Sequence, residues 1–364
     1  MRIALYSPRS NFLRMELAQG GDAVFLHGLL DDLRRRGHEV EIASELNVRD
    51  LWQGGTHAGN LLVEAHSVRQ RMRKFRPDAW LIYKPSRSYP DVFGWWQRPR
   101  KYVLFSTSTW QSRRMPRRWR SPLTYAYRQA LRRADLITAE RPPTFQRLLK
   151  RGVEPERLRL LTHAVPVPTL TPPKDQARRR LGLPVDVPIA LCATRFKELG
   201  HSEGKTEMIL DLLSVVPMLP DALVVLAGDG PARSRIEAEV ARLGIGERVR
   251  LVGSIDHADL EWFFAACDLC AYPHPQDRPW TSLLEAQGHG RPVVTMRTGS
   301  GELTVDDGRT GLLANTLDDF RMHVATLLRD RQRCIEMGEA ARRFIAEFHS
   351  TDVRVREIEE AIGG

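Results

Sequence analysis

The chain has 364 residues, with 55 Lys and Arg against 45 Asp and Glu and a formal charge of +10. At 42% apolar and 27% charged it has the composition of an ordinary globular protein, which excludes a disordered chain. Its length exceeds what one hydrophobic core usually serves and predicts two domains.

No apolar run approaches the roughly 18 residues of a membrane-spanning helix. The apolar residues 3–6 are too short for a signal segment and end at Ser7 and Pro8. Four cysteines, Cys192, Cys267, Cys270 and Cys334, are too few for a disulfide framework, and a reducing cytoplasm is the expected location. The charge is uneven. Residues 1–150 hold 28 basic and 13 acidic side chains, residues 151–364 hold 27 and 32, and the segment 51–150 alone holds 21 against 5. Such a field attracts anionic lipid, nucleic acid or phosphorylated ligands.

In chain order, Arg2–Tyr6 reads as a strand, followed by a loop ending at Gly20-Gly21 and a helix over Ala23–Arg36. Phe25, Leu26, Leu29, Leu30 and Leu33 share one face of that helix, and Gly37 is its C-cap. Strands are predicted at Glu39–Ala43, Ala79–Tyr83, Tyr102–Phe105 and Leu136–Ala139, with helices between them. This is the alternation of a parallel, doubly wound sheet. Proline-rich text from Pro166 to Pro188 reads as a linker.

The same grammar then restarts, with strands at Ile189–Ala193, Leu223–Ala227, Arg250–Val252, Leu269–Tyr272 and Val293–Met296. Helices are predicted near 206–216, 231–243, 257–266 and 281–289. The tail 317–362 is predicted helical, with Val324, Leu327, Leu328 and Ile335 in the core. The predicted architecture is α/β, two Rossmann-like domains at 1–170 and 171–344 facing a central cleft, where ligands gather at the carboxyl ends of the strands.

Several segments carry candidate chemistry. Gly20 and Gly21 close the first strand–helix loop, where free backbone N–H groups suit a phosphate. Arg195 and Lys205 flank the loop after the first strand of the second half and can clamp a diphosphate. Gly200–Thr206 also approaches a P-loop, yet only three residues separate Gly200 from Gly204 where four are needed. In that reading Asp229 would serve a metal.

Asp277 and Glu285 place two carboxylates eight positions apart, suited to the vicinal hydroxyls of a sugar and a ribose. Thr281 and Ser282 sit where a helix N-terminus favours phosphate. Glu285 lies in apolar surroundings, and a buried carboxylate needs a partner. Cys267, Cys270 and His274 fall short of a zinc set, and a strand would point the two cysteines to opposite faces. No metal site is predicted, and there is no D-x-D pair. Arg113-Arg-Met-Pro-Arg-Arg-Trp-Arg120, near Trp95, Trp96 and Trp110, suits an anionic membrane surface, nucleic acid or a solvated helix face.

These segments together resemble the retaining, nucleotide-sugar-dependent glycosyltransferases of family 4, with the GT-B fold. The carriers are GGDAVFLHGLLDDLRRRGHEVEI (20–42), LAGDGP (226–231), VRLVGSI (249–255), ACDLCAYP (266–273), LLEAQGHGRPVVTM (283–296) and GELTVDDGRTGLL (301–313).

The resemblance implies that Gly21 approaches the donor diphosphate and that Arg195 and Lys205 bind it, with Lys197 a rival for the lysine. It implies that Asp277 addresses the transferred sugar and Glu285 the ribose. It implies a helix from about 345 to 364 that packs back on the first domain. Three departures stand out. Asp277 replaces a glutamate, Trp280 replaces a glycine, and Ser106-Thr-Ser-Thr-Trp110 stands where many members carry a histidine.

The expected activity is metal-independent, retaining transfer from a nucleoside-diphosphate sugar to a glycan or lipid-linked acceptor of the cell envelope. An anionic membrane surface is the expected partner of 51–150, at the inner face of the plasma membrane, and no specific nucleic acid is expected. The alternatives are a GT-B-like scaffold that has lost catalysis and a P-loop phosphotransferase.

Overall fold

The computed structural model describes the chain except for residues 10–20, 54–56, 98, 110–114, 116, 197–204, 274–280 and 364. The chain divides into two units. An N-terminal unit comprises Met1–His163 with Thr351–Gly364, and a C-terminal unit comprises Ala164–Ser350. Pro166, Pro168, Pro172 and Pro173 therefore lie inside the second unit.

The N-terminal unit is built on β1 (Arg2–Tyr6), β2 (Glu39–Ser44), β3 (Ala79–Tyr83), β4 (Lys101–Phe105), β5 (Leu136–Ala139) and β6 (Leu158–Leu160). Its six strands run in the order β2-β1-β3-β4-β5-β6, and every pairing is parallel. A parallel sheet is covered by helices on both faces, so its strands read as unbroken apolar runs. β3, Ala-Trp-Leu-Ile-Tyr, is buried at all five positions.

Helix Thr351–Gly363 belongs to this unit and packs on helix Gly21–Arg35. Glu359 there pairs with Arg36 at 2.7 Å and meets His38 at 2.7 Å. Buried Arg354 donates to the Thr162 carbonyl at 3.2 Å and pairs with Glu357.

The C-terminal unit is built on β7 (Ile189–Ala193), β8 (Leu223–Ala227), β9 (Val249–Gly253), β10 (Leu269–Tyr272), β11 (Val293–Met296) and β12 (Gly311–Ala314). Its order is β12-β11-β10-β7-β8-β9. Read from the other edge this is third, second, first, fourth, fifth, sixth, the doubly wound order with its reversal between β7 and β10. The amino end of this sheet is fixed by Asp268, whose carboxylate accepts from the Ile189 N–H at 2.7 Å and pairs with buried Arg178 at 2.8 Å. Residues 345–350 stay with this unit, Ile345 packing with Val165 and Leu284.

Two sequence readings are corrected here. Ile335 is 47% exposed. Helix Arg331–Phe344 instead buries Cys334, Met337, Gly338 and Ala341, spaced by three and four residues along one face, which leaves Ile335 on the other. Cys267 and Cys270 do not diverge; their sulfurs lie 3.8 Å apart. Cys267 is the C-cap of helix His257–Ala266, ahead of β10, so strand alternation does not govern the pair.

Candidate functional site

The carboxyl edge of the second sheet collects most of the sequence-predicted residues. β7 ends at Ala193 and the chain continues through Thr194, Arg195 and Phe196. The Thr194 N–H donates to the Ala227 carbonyl at 2.9 Å and the Phe196 N–H to the Asp229 carbonyl at 2.9 Å. Those acceptors lie at the end of β8 and in the loop beyond it. Gly228 and Gly230 there have φ of +151° and +149°, and a Cβ would stand 1.8 Å from the Thr194 oxygen and 2.1 Å from the Phe196 oxygen. Only glycine permits that approach. Phe196 is fully buried, whereas Arg195 between the two clamped residues is exposed. The clamped backbone thus presents a guanidinium that has no partner among the described residues.

Lys205 opens helix Lys205–Leu213; its side chain, Lys197 and Gly200–Gly204 lie outside the described residues. Asp229, which a P-loop reading would give to a metal, accepts from the Gly230 N–H at 2.7 Å and pairs with Arg233 at 3.4 Å.

After β10, Asp277, Trp280 and His274 also lie outside the described residues. Helix Thr281–Gly288 follows, burying Leu283, Leu284, Ala286, Gln287 and Gly288. Two contacts orient it. Gln287 donates its Nε2 to the Thr304 carbonyl at 2.8 Å. Ser282 hydrogen-bonds the Tyr272 phenol, which also accepts from the Ala193 N–H at 3.3 Å.

Thr281 and Glu285, four residues apart, share one side of this helix and are both half-buried. Burial pushes the Glu285 carboxyl up to about 7. Among the described residues no cation or hydrogen-bond donor faces this carboxylate. A desolvated acceptor without a donor is costly unless a ligand supplies the hydrogen bonds.

The first sheet's carboxyl edge contrasts with this, and of its central residues Lys84, Glu140 and His163 were not singled out from sequence, whereas Ser106 was. Lys84 follows β3 and Ser106 follows β4, each with positive φ, +55° and +56°. Glu140 follows β5, and Asp22 is in the first turn of helix Gly21–Arg35. Lys84 Nζ lies 2.5 Å from Asp22, 3.4 Å from Glu140 and 3.2 Å from His163 Nε2. His163 Nε2 is 3.1 Å from Glu140. The Ser106 hydroxyl donates to Glu140.

Burial alone would raise the Glu140 carboxyl, but His163 and Lys84 outweigh it and hold the group well below the usual carboxylate range. The Lys84 ammonium rises, since Glu140 and Asp22 override the desolvation that opposes it. A cavity of about 230 Å³ opens beside this cluster, lined by Arg9, Lys84, Ser86, Ser106, Glu140 and Arg141 among others. The signal in the sequence was the position of Lys84 and Glu140, each the first residue beyond an apolar strand.

Other predicted residues resolve differently. Of the hydroxyls after β4, Ser106 is committed to Glu140 and Thr107 donates to the Leu104 carbonyl at 3.2 Å. Gly21 begins its helix, and Gly20 is outside the described residues. In the basic segment Arg117 and Arg118 are exposed on helix Arg117–Arg133, while Trp119 packs inward beside Met115 and Leu123. Trp110, Arg113 and Arg114 are outside the described residues. Among the described residues no helix is long and apolar enough to cross a membrane, and no three His, Cys, Asp or Glu side chains converge on a metal position.

A family model described as "Glycosyl transferases group 1" matches residues 195–330. D-inositol 3-phosphate glycosyltransferase 2 of Catenulispora acidiphila is 30% identical over 225 residues, which is 57% of this chain and 53% of that protein. The chain thus spans about half the length of the curated relatives it matches.

Among solved structures, sucrose-phosphate synthase from Thermosynechococcus elongatus superposes with a TM-score of 0.71 at 19% identity, covering 99% of this chain and 98% of that one. Anabaena HepE in complex with UDP and glucose gives 0.70 at 20% identity, covering 100% and 99%. Residues 195–330 thus match the group 1 glycosyltransferase family, on a chain with the two-unit GT-B fold.

Proposed function

We propose that this protein is a glycosyltransferase that moves a sugar, with retention of anomeric configuration and without a metal ion, from a nucleoside-diphosphate donor bound at the carboxyl edge of its C-terminal unit. The observation that carries the reading is Glu285, a half-buried carboxylate without a described partner, on the helix that follows β10. Two ribose hydroxyls supply the donors it lacks. The match of residues 195–330 to the group 1 family supports this assignment, as does the UDP held by HepE, one of the structural neighbours.

Each residue then has a role. Arg195, Lys205 and the start of helix Thr281–Gly288, with Thr281 and Ser282, meet the diphosphate. They stabilise it as the glycosidic bond lengthens toward an oxocarbenium-like state. Asp277 orients the sugar hydroxyls, and the acceptor hydroxyl attacks from the face the leaving diphosphate departs. The gain is positional and electrostatic, with no covalent intermediate.

The acceptor is a glycan or lipid-linked molecule of the cell envelope, met at the inner face of the membrane. The charge of residues 51–150 supports an anionic one, and the relatives are named for a phosphorylated inositol. A second reading, a scaffold that binds nucleotide without turnover, is favoured by the engagement of Ser106 and Thr107 with protein partners.

Thermal melting with UDP, GDP, ADP, CMP and dTDP, each with EDTA present, separates the readings. A ligand that binds the native state raises the melting temperature by mass action. The reading predicts a rise for one diphosphate that is lost in Arg195→Ala and in Glu285→Ala. It also predicts turnover of the matching sugar nucleotide in EDTA with the anomeric configuration kept. No rise for any diphosphate contradicts it, and binding without turnover selects the scaffold.

A further inference from the structure

A larger cavity, of about 540 Å³, lies in the N-terminal unit, away from the Lys84–Glu140 cluster. Arg87, Arg128, Arg132, Arg151 and Arg157 line it over a floor that includes Tyr127. Three separate stretches deliver these arginines. Arg87 comes from the segment after β3, Arg128 and Arg132 from helix Arg117–Arg133, and Arg151 and Arg157 from the chain between β5 and β6. No carboxylate is among the lining residues.

Arg157 is already satisfied. It donates to the Leu131, Arg132 and Ala134 carbonyls and pairs with Glu154 at 2.7 Å, closing the end of helix Arg117–Arg133. The other four guanidinium groups have no hydrogen-bond or ion-pair partner among the described residues. Arg87 Nε is buried and unpartnered. Burial lowers the Arg87 guanidinium from its ordinary value, and Arg151 and Arg128 push it the same way, so the three cations share one field. The Tyr127 phenol is spent on the Ser108 carbonyl at 3.0 Å and offers no negative charge.

Like charges brought together in a concave site with no counter-charge destabilise the fold unless an anion joins them. Arginine specifically suits phosphate, because its planar fork donates two parallel hydrogen bonds. The volume exceeds a single phosphate ion and falls within the range of small-molecule sites.

We propose that this cavity binds a phosphate-bearing ligand of more than one negative charge, gripped by Arg87, Arg128, Arg132 and Arg151. The chemistry is shared by a free phosphorylated solute and by the headgroup of an anionic lipid. The site shares no residue with the proposed donor site, whose cations are Arg195 and Lys205, and stands whether or not that assignment holds.

The probe is inorganic pyrophosphate, titrated calorimetrically into the full chain with EDTA present. The variants are Arg195→Ala, the double variant Arg128→Ala/Arg151→Ala, and the conservative Arg128→Lys/Arg151→Lys. Arg128 and Arg151 are exposed at the rim, and circular dichroism checks that their variants fold.

The site predicts a pyrophosphate isotherm in Arg195→Ala that the double alanine variant weakens at least about tenfold, with the lysine variant between them because it keeps charge but loses the fork. Co-sedimentation with phosphatidylcholine vesicles, with and without phosphatidylglycerol, separates the sources. Vesicle binding lost in the double alanine variant and displaced by pyrophosphate assigns a lipid headgroup. Pyrophosphate binding without vesicle binding assigns a free solute. Unchanged pyrophosphate affinity in the double alanine variant, or no binding of either probe, overturns the proposal.

Discussion

Glu140 directly follows a parallel strand and Glu285 lies on the helix after one, each in a doubly wound unit, and their surroundings have opposite consequences. Glu140, like Glu285, is half-buried, but it has Lys84, His163 and Ser106 around it. Its charge is neutralised within the N-terminal unit, and its carboxyl is held low. Glu285 is half-buried with no described partner, and its carboxyl is pushed up to about 7 by burial. One edge is internally complete, and the other carries a polar group whose cost a ligand can relieve. A half-buried carboxylate is therefore not by itself a site; what distinguishes the two is whether the protein has already supplied the partner.

The contrast is broken most severely by Lys84→Met. Removing the cation leaves Glu140 and Asp22 with His163 and Ser106 in a partly buried cluster, and the expected loss is about 2–3 kcal/mol of stability, less than for a fully buried pair. Urea denaturation measures it, and a loss below about 1 kcal/mol contradicts the account of this cluster. Glu285→Gln is expected to do the reverse. It removes a desolvated charge, so stability at pH 8 holds or rises, while affinity for the preferred nucleoside diphosphate falls about tenfold or more. Urea denaturation at pH 8 reads the first and calorimetric titration of the variant the second.

The pH dependence separates the two carboxylates by sign. Glu285 is raised in the fold, so between about 4.5 and 7 the folded chain holds a proton that the unfolded chain has lost. Stability on its account falls as the pH rises through that window and levels off above it. Nucleotide affinity rises over the same range as the carboxylate ionises. Glu140 is lowered, so its contribution is complete above the unfolded carboxyl's value near 4.5 and is lost as the pH falls toward the depressed folded value. The wild-type stability profile is expected to show both limbs, and Glu285→Gln and Glu140→Gln to lose one each. The smallest effect is a control away from both edges. Thr316 caps helix Leu317–Arg329 in a reciprocal capping box with Asp319, and Thr316→Ala is expected to cost about 1 kcal/mol without changing nucleotide affinity.

Much of the scaffold was legible in the sequence because apolar runs of four to six residues recur between helical patterns. β1, β3, β5, β7, β8, β10 and β11 have the bounds their residues predict. β6 and β12 were missed, since Leu158–Leu160 is only three residues long and Gly311–Ala314 opens on a glycine that reads as a turn. Ile335 misled because apolar character alone does not state a helical face.

At the site, Arg195 and Glu285 could be found from type and spacing. The Lys84–Asp22–Glu140–His163 cluster could not, because its members are scattered over more than a hundred residues and each looks like a solvated charge until the sheet order brings the strand ends together. The four-arginine cavity was visible only as a charge excess; concavity and missing partners are properties of the fold.

The central claim is that Glu285 receives a nucleoside diphosphate. Calorimetric titration of UDP, GDP and ADP into the full chain in EDTA, repeated in buffers of different ionisation enthalpy near pH 7, tests it most directly. The account predicts one preferred diphosphate whose binding releases a proton, with affinity and proton release both reduced in Glu285→Gln. Equal affinity and equal proton release in the wild type and the variant would contradict it.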